Sequence, residues 1–464
     1  MQVPRRPLFL VQQAPQDDGQ PALLAARLEG RLPVHRVCVV GPDGVSPATV
    51  EGMAAKLVQA VRSAQPAGPY RLAGWGFGGL LAYETAIQLI GLDEPVELVA
   101  LIDTPCPQGP QARENYLPQR ISIPVDLFVH DNEPQADPML GWGGLLPRAM
   151  LRVSPVAGPD ALADLLLRAA ARPLRPTESG YRPEVAIRTS RAPGAASLFC
   201  VPGAGDSVVG FAALANALGD EFSLHGLQPR GTDGELVPHS TVRAAAANYV
   251  RAIERVRPRG PLHLFGHSFG GWIVFEMAQL LRASGHPVAS LTIVDSEAPD
   301  GRADFSGEEH GAGEALARFV EVLEMAAGQP LRVDPAALAR LHPAAMREQL
   351  HGAMARAGLL PARSGPDVLI GPIRTFATAL RTSYRPPGVY DGLVRLVLVA
   401  DTRFGAEDNQ RHQLACLAGW QAWAPQTRLW IGPGNHMTVL KDANVRALAK
   451  WWTGAIAATE AAPS

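Results

Sequence analysis

At 464 residues the chain is too long for one average domain, and two or three are expected. Apolar residues make up 47% and charged residues 19%, with a formal net charge of −2, which excludes a broad basic surface for nucleic acid and a polybasic membrane anchor. No apolar run approaches the roughly 18 residues of a spanning helix, and the run near the N-terminus, Leu8–Val11, is too short for a signal-peptide core, so a cytoplasmic protein is expected.

In chain order, "PLFLVQQAPQDDGQPALLAARL" (Pro7–Leu28) predicts an apolar strand, a loop and a helix. "GPYRLAGWGFGGLLAYETA" (Gly68–Ala86) predicts a strand, a tight turn and a helix. The turn "GWGFGG" matches G-x-G-x-x-G, and Asp103 ends the next strand-like run, "VELVALID". That pairing is also the dinucleotide-binding fingerprint, so a dinucleotide-binding oxidoreductase is one reading. "IPVDLFVHD", "GWGGL" and "VAGPDALADLL" follow, and then a Pro-, Arg-, Ser- and Thr-rich stretch, residues 170–195, reads as a linker.

Beyond the linker the chain repeats itself. "SLFCVPGAGDSVVGFAALANAL" (Ser197–Leu218) aligns without a gap on Pro7–Leu28 at an offset of 190. "GPLHLFGHSFGGWIVFEMA" (Gly260–Ala278) aligns on Gly68–Ala86 at an offset of 192, with nine identities in nineteen positions. The same offset of 192 places Asp295 on Asp103. In the tails "GLVRLVLVAD" resembles "IPVDLFVHD", Trp420 pairs with Trp142 at an offset of 278, and "GPGNHMTVL" meets "VAGPDALADLL". The second copy therefore carries about 84 to 86 extra residues between its Asp and its tail. Their apolar residues, three and four apart, predict an α-helical insertion over about 298–386, a natural lid. In both copies strands alternate with helices, predicting α/β domains built on a mainly parallel sheet: a lidless domain over 1–169 and a lidded one over 196–464.

The second copy carries chemistry. Ser268 stands in G-H-S-F-G-G between a strand and a helix, satisfying G-x-S-x-G. At such a turn the chain bends so sharply that only glycines fit beside the serine, and the hydroxyl is thrust above the carboxyl end of the sheet. A serine nucleophile needs a base and the base needs an orienting acid, in the order Ser…Asp…His. His436, in "IGPGNHMTVL" after the last predicted strand, can reach over the sheet, whereas His267 and His263 are poorly placed as bases. Asp295 and Asp401 each end a strand and compete for the acid, and position alone leaves both open. For the oxyanion hole, the backbone N–H of Phe269 follows the nucleophile and Ala204 in "VPGAG" is the second donor.

Together "SLFCVPGAGDSVVGF", "GPLHLFGHSFGGWIVFEMAQLL", "IVDSEAP", "YRPPGVYDG" and "GPGNHM" resemble the type I thioesterase domains that release chains from nonribosomal peptide synthetases, over roughly residues 196–456. The resemblance implies an α/β-hydrolase fold with a mobile helical lid. It also implies an acyl-enzyme on serine, a substrate delivered on the phosphopantetheine arm of a carrier domain, and release by hydrolysis or cyclisation. It further implies Asp295 as the acid, with Asp401 the runner-up. No carrier attachment motif occurs in this chain, so the carrier is expected from elsewhere, and no cofactor, metal or nucleic-acid partner is expected.

The first copy reads as an inactive relative, and the chain as resembling a tandem thioesterase with a degenerate first member. Gly76 takes the nucleophile's position, Asp160 takes that of His436, and only Asp103 survives from the triad. Pro15 replaces the loop glycine after Ala14, and the helical insertion is missing. A scaffold or docking role is expected for it. A type II editing thioesterase that clears misloaded carriers is the alternative for the whole chain, with a lipase-like ester hydrolase behind it. The four cysteines (Cys38, Cys106, Cys200, Cys416) have no CxxC pairing and read as reduced structural thiols.

Overall fold

A computed structural model describes residues 6–12, 19–39, 47, 49–107, 116, 118–130, 137–173, 181–192, 194–256, 261–301, 312–361, 363–401 and 403–460. The chain divides into two compact units, Met1–Gly180 with Glu235–Val237, and Tyr181–Gly234 with Pro238–Ser464.

The first unit runs β1 (Leu8–Gln12), α1 (Gln20–Leu28), β2 (Val34–Cys38), α2 (Val50–Ala64), β3 (Tyr70–Trp75), α3 (Phe77–Gly91), β4 (Val96–Ile102), β5 (Val125–His130), β6 (Leu151–Val156) and α4 (Pro159–Ala170). Its strands form one sheet in the order β2-β1-β3-β4-β5-β6, every pair parallel. Alternate residues of a strand face opposite sides, so a sheet covered on both faces needs near-continuous apolar runs. "LFLVQ" supplies one. Phe9 and Val11 enter a core with Leu72, Val99 and Leu127, and Leu8 and Leu10 enter another with Ala100, Ile102 and Phe128. The Thr49 side chain caps α2 by accepting from Gly52 N–H at 3.1 Å. Among the described residues no helix lies between β4 and β5.

The second unit runs β7 (Glu184–Arg188), β8 (Ala196–Val201), α5 (Ala212–Leu218), β9 (Phe222–Leu227), α6 (Val242–Val256), β10 (Leu262–His267), α7 (Phe269–Ala283), β11 (Ser290–Val294), α8 (Ala312–Ala327), α9 (Pro335–Leu338), α10 (Pro343–Arg356), α11 (Ile370–Leu380), β12 (Val394–Leu398), α12 (Ala406–Trp423), β13 (Arg428–Ile431) and α13 (Asp442–Glu460). The sheet order is β13-β12-β11-β10-β8-β9-β7. Without β7 this is the order of the first sheet, strand for strand, so each unit has the α/β-hydrolase arrangement. In α6, Val242, Ala245, Ala246, Tyr249, Val250 and Ile253 recur at three- and four-residue spacing and form its buried stripe.

One expectation changes here. The stretch 170–195 is not simply linker: its residues 184–188 form β7, which pairs antiparallel with β9 and edges the second sheet. The pairing is reinforced by His225 Nδ1 at 2.6 Å from Glu184 Oε1, and by Gln228 N–H donating to Pro183 O at 2.6 Å. A strand whose hydrogen bonds come from a distant partner leaves little local signature. The inserted helices α8 to α11 occupy the span expected for the lid, apart from residues 302–311 and 362, which lie outside the described residues. They close on a small core of their own, with Phe319, Val320, Leu350, Met354 and Phe376 at its centre.

Candidate active site

The elbow between β10 and α7 is built by glycines. A Cβ on Gly266 would lie 2.3 Å from Gly270 O, and one on Gly270 would lie 2.3 Å from Val201 O, so strand, helix and β8 meet at backbone distance. Ser268 stands at the bend with φ 54° and ψ −129°, a conformation costing a non-glycine residue of order 1–3 kcal/mol. Its N–H donates to Val294 O at 2.8 Å, and its carbonyl accepts from Gly271 N–H at 2.8 Å. The bend leaves the Ser268 side chain facing the β8–α5 loop, where a Cβ on Gly203 would stand 3.0 Å from Ser268 Cβ.

Asp295 follows β11 and also has a positive φ, 47°. Its Oδ1 accepts from Val399 N–H at 3.2 Å, and its Oδ2 lies 2.7 Å from His436 Nδ1. An ionised carboxylate only accepts, so Nδ1 carries the proton and Nε2 keeps the lone pair a base needs. His436 belongs to the ten-residue connection from β13 to α13, pinned by Asn435 Oδ1 accepting from Met437 N–H and Thr438 N–H, both at 3.0 Å. Asp401 is engaged elsewhere: its carboxylate takes the Arg403 guanidinium at 2.6 and 3.0 Å, which holds it below the usual carboxylate range. The structure brings Asp295 to His436 and not Asp401.

Of the expected oxyanion donors, Phe269 directly follows the serine and Ala204 belongs to the β8–α5 loop that the serine faces. The N–H of Phe269 opens α7 and has no carbonyl of its own helix to meet. Ala204 packs against the core of the inserted helices. At Gly205 beside it (φ 74°), a Cβ would meet Phe376 Cβ and Pro372 O, both at 3.1 Å. The insertion thus sits directly on the β8–α5 loop.

Two residues near the elbow had no functional signal in the sequence. His267 is buried; its Nε2–H donates to His436 O at 3.0 Å, and the two rings lie 4.9 Å apart. Burial and the neighbouring imidazole push its pKa well down, favouring the neutral ring that tethers the loop of His436 to the elbow strand. Asp206 borders the same space: its Oδ2 would lie 3.4 Å from a Gly203 Cβ. Burial raises its carboxyl, while His436 and Lys441 draw it back. His263 instead faces the helix layer, edge-on to Phe222 and Trp452, and bonds Ser290 Oγ at 2.8 Å.

In the first unit Gly76 takes the elbow position with φ 48° and ψ −116°, close to the values of Ser268. A Cβ on Gly74 would lie 2.3 Å from Gly78 O, reproducing the contact between Gly266 and Gly270. Asp103 has φ 44°. Asp160, however, does not occupy the place of His436. β6 and α4 are joined by two residues where β13 and α13 are joined by ten, so Asp160 already lies in the first turn of α4 and pairs with Arg27 at 2.5 Å. Nor is Asp103 alone. Its Oδ1 accepts from His130 N–H at 2.9 Å, and its Oδ2 lies 2.6 Å from His130 Nδ1. Ala14 and Pro15 lie outside the described residues.

The two sequence copies also match in buried detail. Trp142 Nε1–H donates to Thr104 O at 2.7 Å, and Trp420 Nε1–H to Ser296 O at 2.9 Å. Tyr116 and Tyr384 hydroxyls each lie 2.7 Å from a glutamate of the elbow helix, Glu84 and Glu276. None of the four cysteines, all of them among the described residues, forms a disulfide.

The Thioesterase domain family matches residues 22–122 and 196–452, and the chain belongs to that family. Chondramide synthase cmdD of Chondromyces crocatus is 30% identical over 244 residues, 51% of this chain and 6% of that protein. A dimodular nonribosomal peptide synthase of Bacillus subtilis is 37% identical over 112 residues, 22% of this chain and 5% of that protein. The chain thus spans under a tenth of the length of these relatives. Among solved structures, the Vlm2 thioesterase domain is similar at 20% identity and TM-score 0.42, over 58% of this chain and 96% of that one. The type II thioesterase BorB is similar at 19% identity and TM-score 0.41, over 59% and 97%. No helix among the described residues is long and apolar enough to cross a membrane.

Proposed function

We propose that the second unit is a serine thioesterase that takes an acyl or peptidyl chain from the phosphopantetheine thioester of a carrier domain onto Ser268. His436 Nε2 removes the hydroxyl proton as the oxygen attacks the thioester carbon, then returns it to the departing thiolate. Asp295 holds the imidazole in the required tautomer and stabilises its charged form. The N–H groups of Phe269 and Ala204 receive the charge that develops on the carbonyl oxygen, each worth about 3–4 kcal/mol. Water, or a nucleophile of the chain itself, then releases the acyl group by the same proton relay. The observation carrying this reading is the 2.7 Å pair of Asp295 and His436, in the unit that holds Ser268 at the strained elbow. The first unit, lacking a serine at its elbow, serves as a scaffold or docking module.

A serine-directed fluorophosphonate should modify the chain at Ser268 and leave Ser268→Ala unmodified; modification that persists in that variant sinks the proposal. Product analysis by mass spectrometry after loading a peptidyl thioester mimic separates hydrolysis from cyclisation. Preference for short acetyl-type carriers over peptidyl ones would favour the editing role.

A further inference from the structure

Beyond the inactive scaffold just described, we infer that the first unit retains a rebuilt acyl-transfer base: His130, supplied by β5 rather than by the β6–α4 connection, stands on Asp103 as His436 stands on Asp295, leaving the nucleophile as the missing member. This rests on the reading of Asp295 and His436 given above.

The argument starts from the two carboxylates. Both follow the strand after the elbow with positive φ, 44° and 47°. Both accept through Oδ1 from the backbone N–H at the end of the next strand, His130 at 2.9 Å and Val399 at 3.2 Å. With that oxygen fixed alike, the other, Oδ2, carries an imidazole Nδ1 in each case, at 2.6 Å in the first unit and 2.7 Å in the second. His130 therefore makes, from one residue, the two contacts that Val399 and His436 share between them. As in the second unit, donation from Nδ1 leaves Nε2 with its lone pair. At the elbow, a Cβ on Gly76 would meet nothing within 4 Å, so the position has room for a side chain. Its backbone already holds the angles that Ser268 adopts.

The chemistry that fits this base is attack by a hydroxyl on an activated acyl or phosphonyl centre. In a Gly76→Ser variant, the new hydroxyl oxygen would bond to the phosphorus of a fluorophosphonate as the P–F bond breaks. The hydroxyl proton passes to His130 Nε2 and fluoride leaves.

The test uses the full chain with Ser268→Ala, so that the second unit is silent. Adding Gly76→Ser should produce a fluorophosphonate adduct at position 76, read by peptide mass spectrometry and absent from Gly76→Ala with Ser268→Ala. Adding His130→Ala as well should slow formation of that adduct at least tenfold. A folded Gly76→Ser variant without the adduct, or with one indifferent to His130→Ala, overturns the inference. Should Gly76→Ser not fold, the parent chain still decides. The proton on His130 Nδ1 should resonate far downfield in the NMR spectrum and disappear in Asp103→Asn; its absence from the parent overturns the inference too. The unmodified chain run alongside separates the two readings. If Ser268 labels and position 76 does not, only this inference fails. If Ser268 does not label, the proposed function fails with it.

Discussion

The two units hold the same turn for different ends. At the elbow, Ser268 and Gly76 share their backbone angles to within about 13°, and the glycines beside them close the same contacts. At the far rim the units part company: ten residues join β13 to α13 and carry His436, while two join β6 to α4 and leave Asp160 in a helix. The turn is thus a property of packing three backbones together, and it outlasts the nucleophile it can present. His436 is carried by a loop that the first unit lacks, and there the matching carboxylate meets a histidine from another strand, His130 of β5.

Four measurements would break or sharpen that contrast. The largest effect is expected at the elbows. Ser268→Ala should lower thioester turnover by about 10⁴-fold or more, whereas Gly76→Ala should leave it within about twofold; comparable losses from both would erase the distinction. Next, Asp295→Asn should cost about 10³–10⁴-fold in kcat by favouring the wrong imidazole tautomer. Asp401→Asn, which removes a partner of Arg403 only, should cost less than about threefold.

The third concerns acid stability. His263 of β10 is buried, and desolvation, with Arg395 second, lowers its pKa to about 4 from an ordinary 6.5. The unfolded chain therefore binds more protons between these values. Stability from this residue is complete above about pH 6.5 and is lost as the pH falls toward 4, by roughly 3 kcal/mol. The aligned residue in β3 is Arg71, an arginine in an ion pair with Glu97, so the first unit lacks this liability. Thermal melts across that range should show the second unit's transition falling, and His263→Gln should flatten the fall. Finally, Tyr384→Phe and Tyr116→Phe each leave a buried glutamate without its hydroxyl donor, and each should lower stability by about 1–3 kcal/mol. Unequal losses in urea melts would show that the matched geometry hides unmatched energetics.

Some of this was legible in the residues and some was not. The elbows were, because steric demand dictates glycine at fixed spacing and the strand–turn–helix context is local. Asp103 and Asp295 followed from their common offset. The acid could not be chosen from position alone, since what separates Asp295 from Asp401 is which charged neighbour each meets. His130 carried no signal: it is one histidine at a strand end, and its meaning arises when β5 is laid beside β4. Asp160 was misplaced because "VAGP" and "IGPG" look alike while the connections that follow differ in length. β7 escaped notice because "EVAIR" lies amid prolines and arginines and takes its order from β9.

That last strand has a practical consequence for anyone wishing to separate the halves. A clone begun at the apparent boundary, residue 196, would discard β7 and leave the N–H and C=O groups of β9 as an open edge, a ready template for another molecule. A clone begun at Tyr181 keeps the selvage. It should stay dispersed by light scattering where the shorter one clumps.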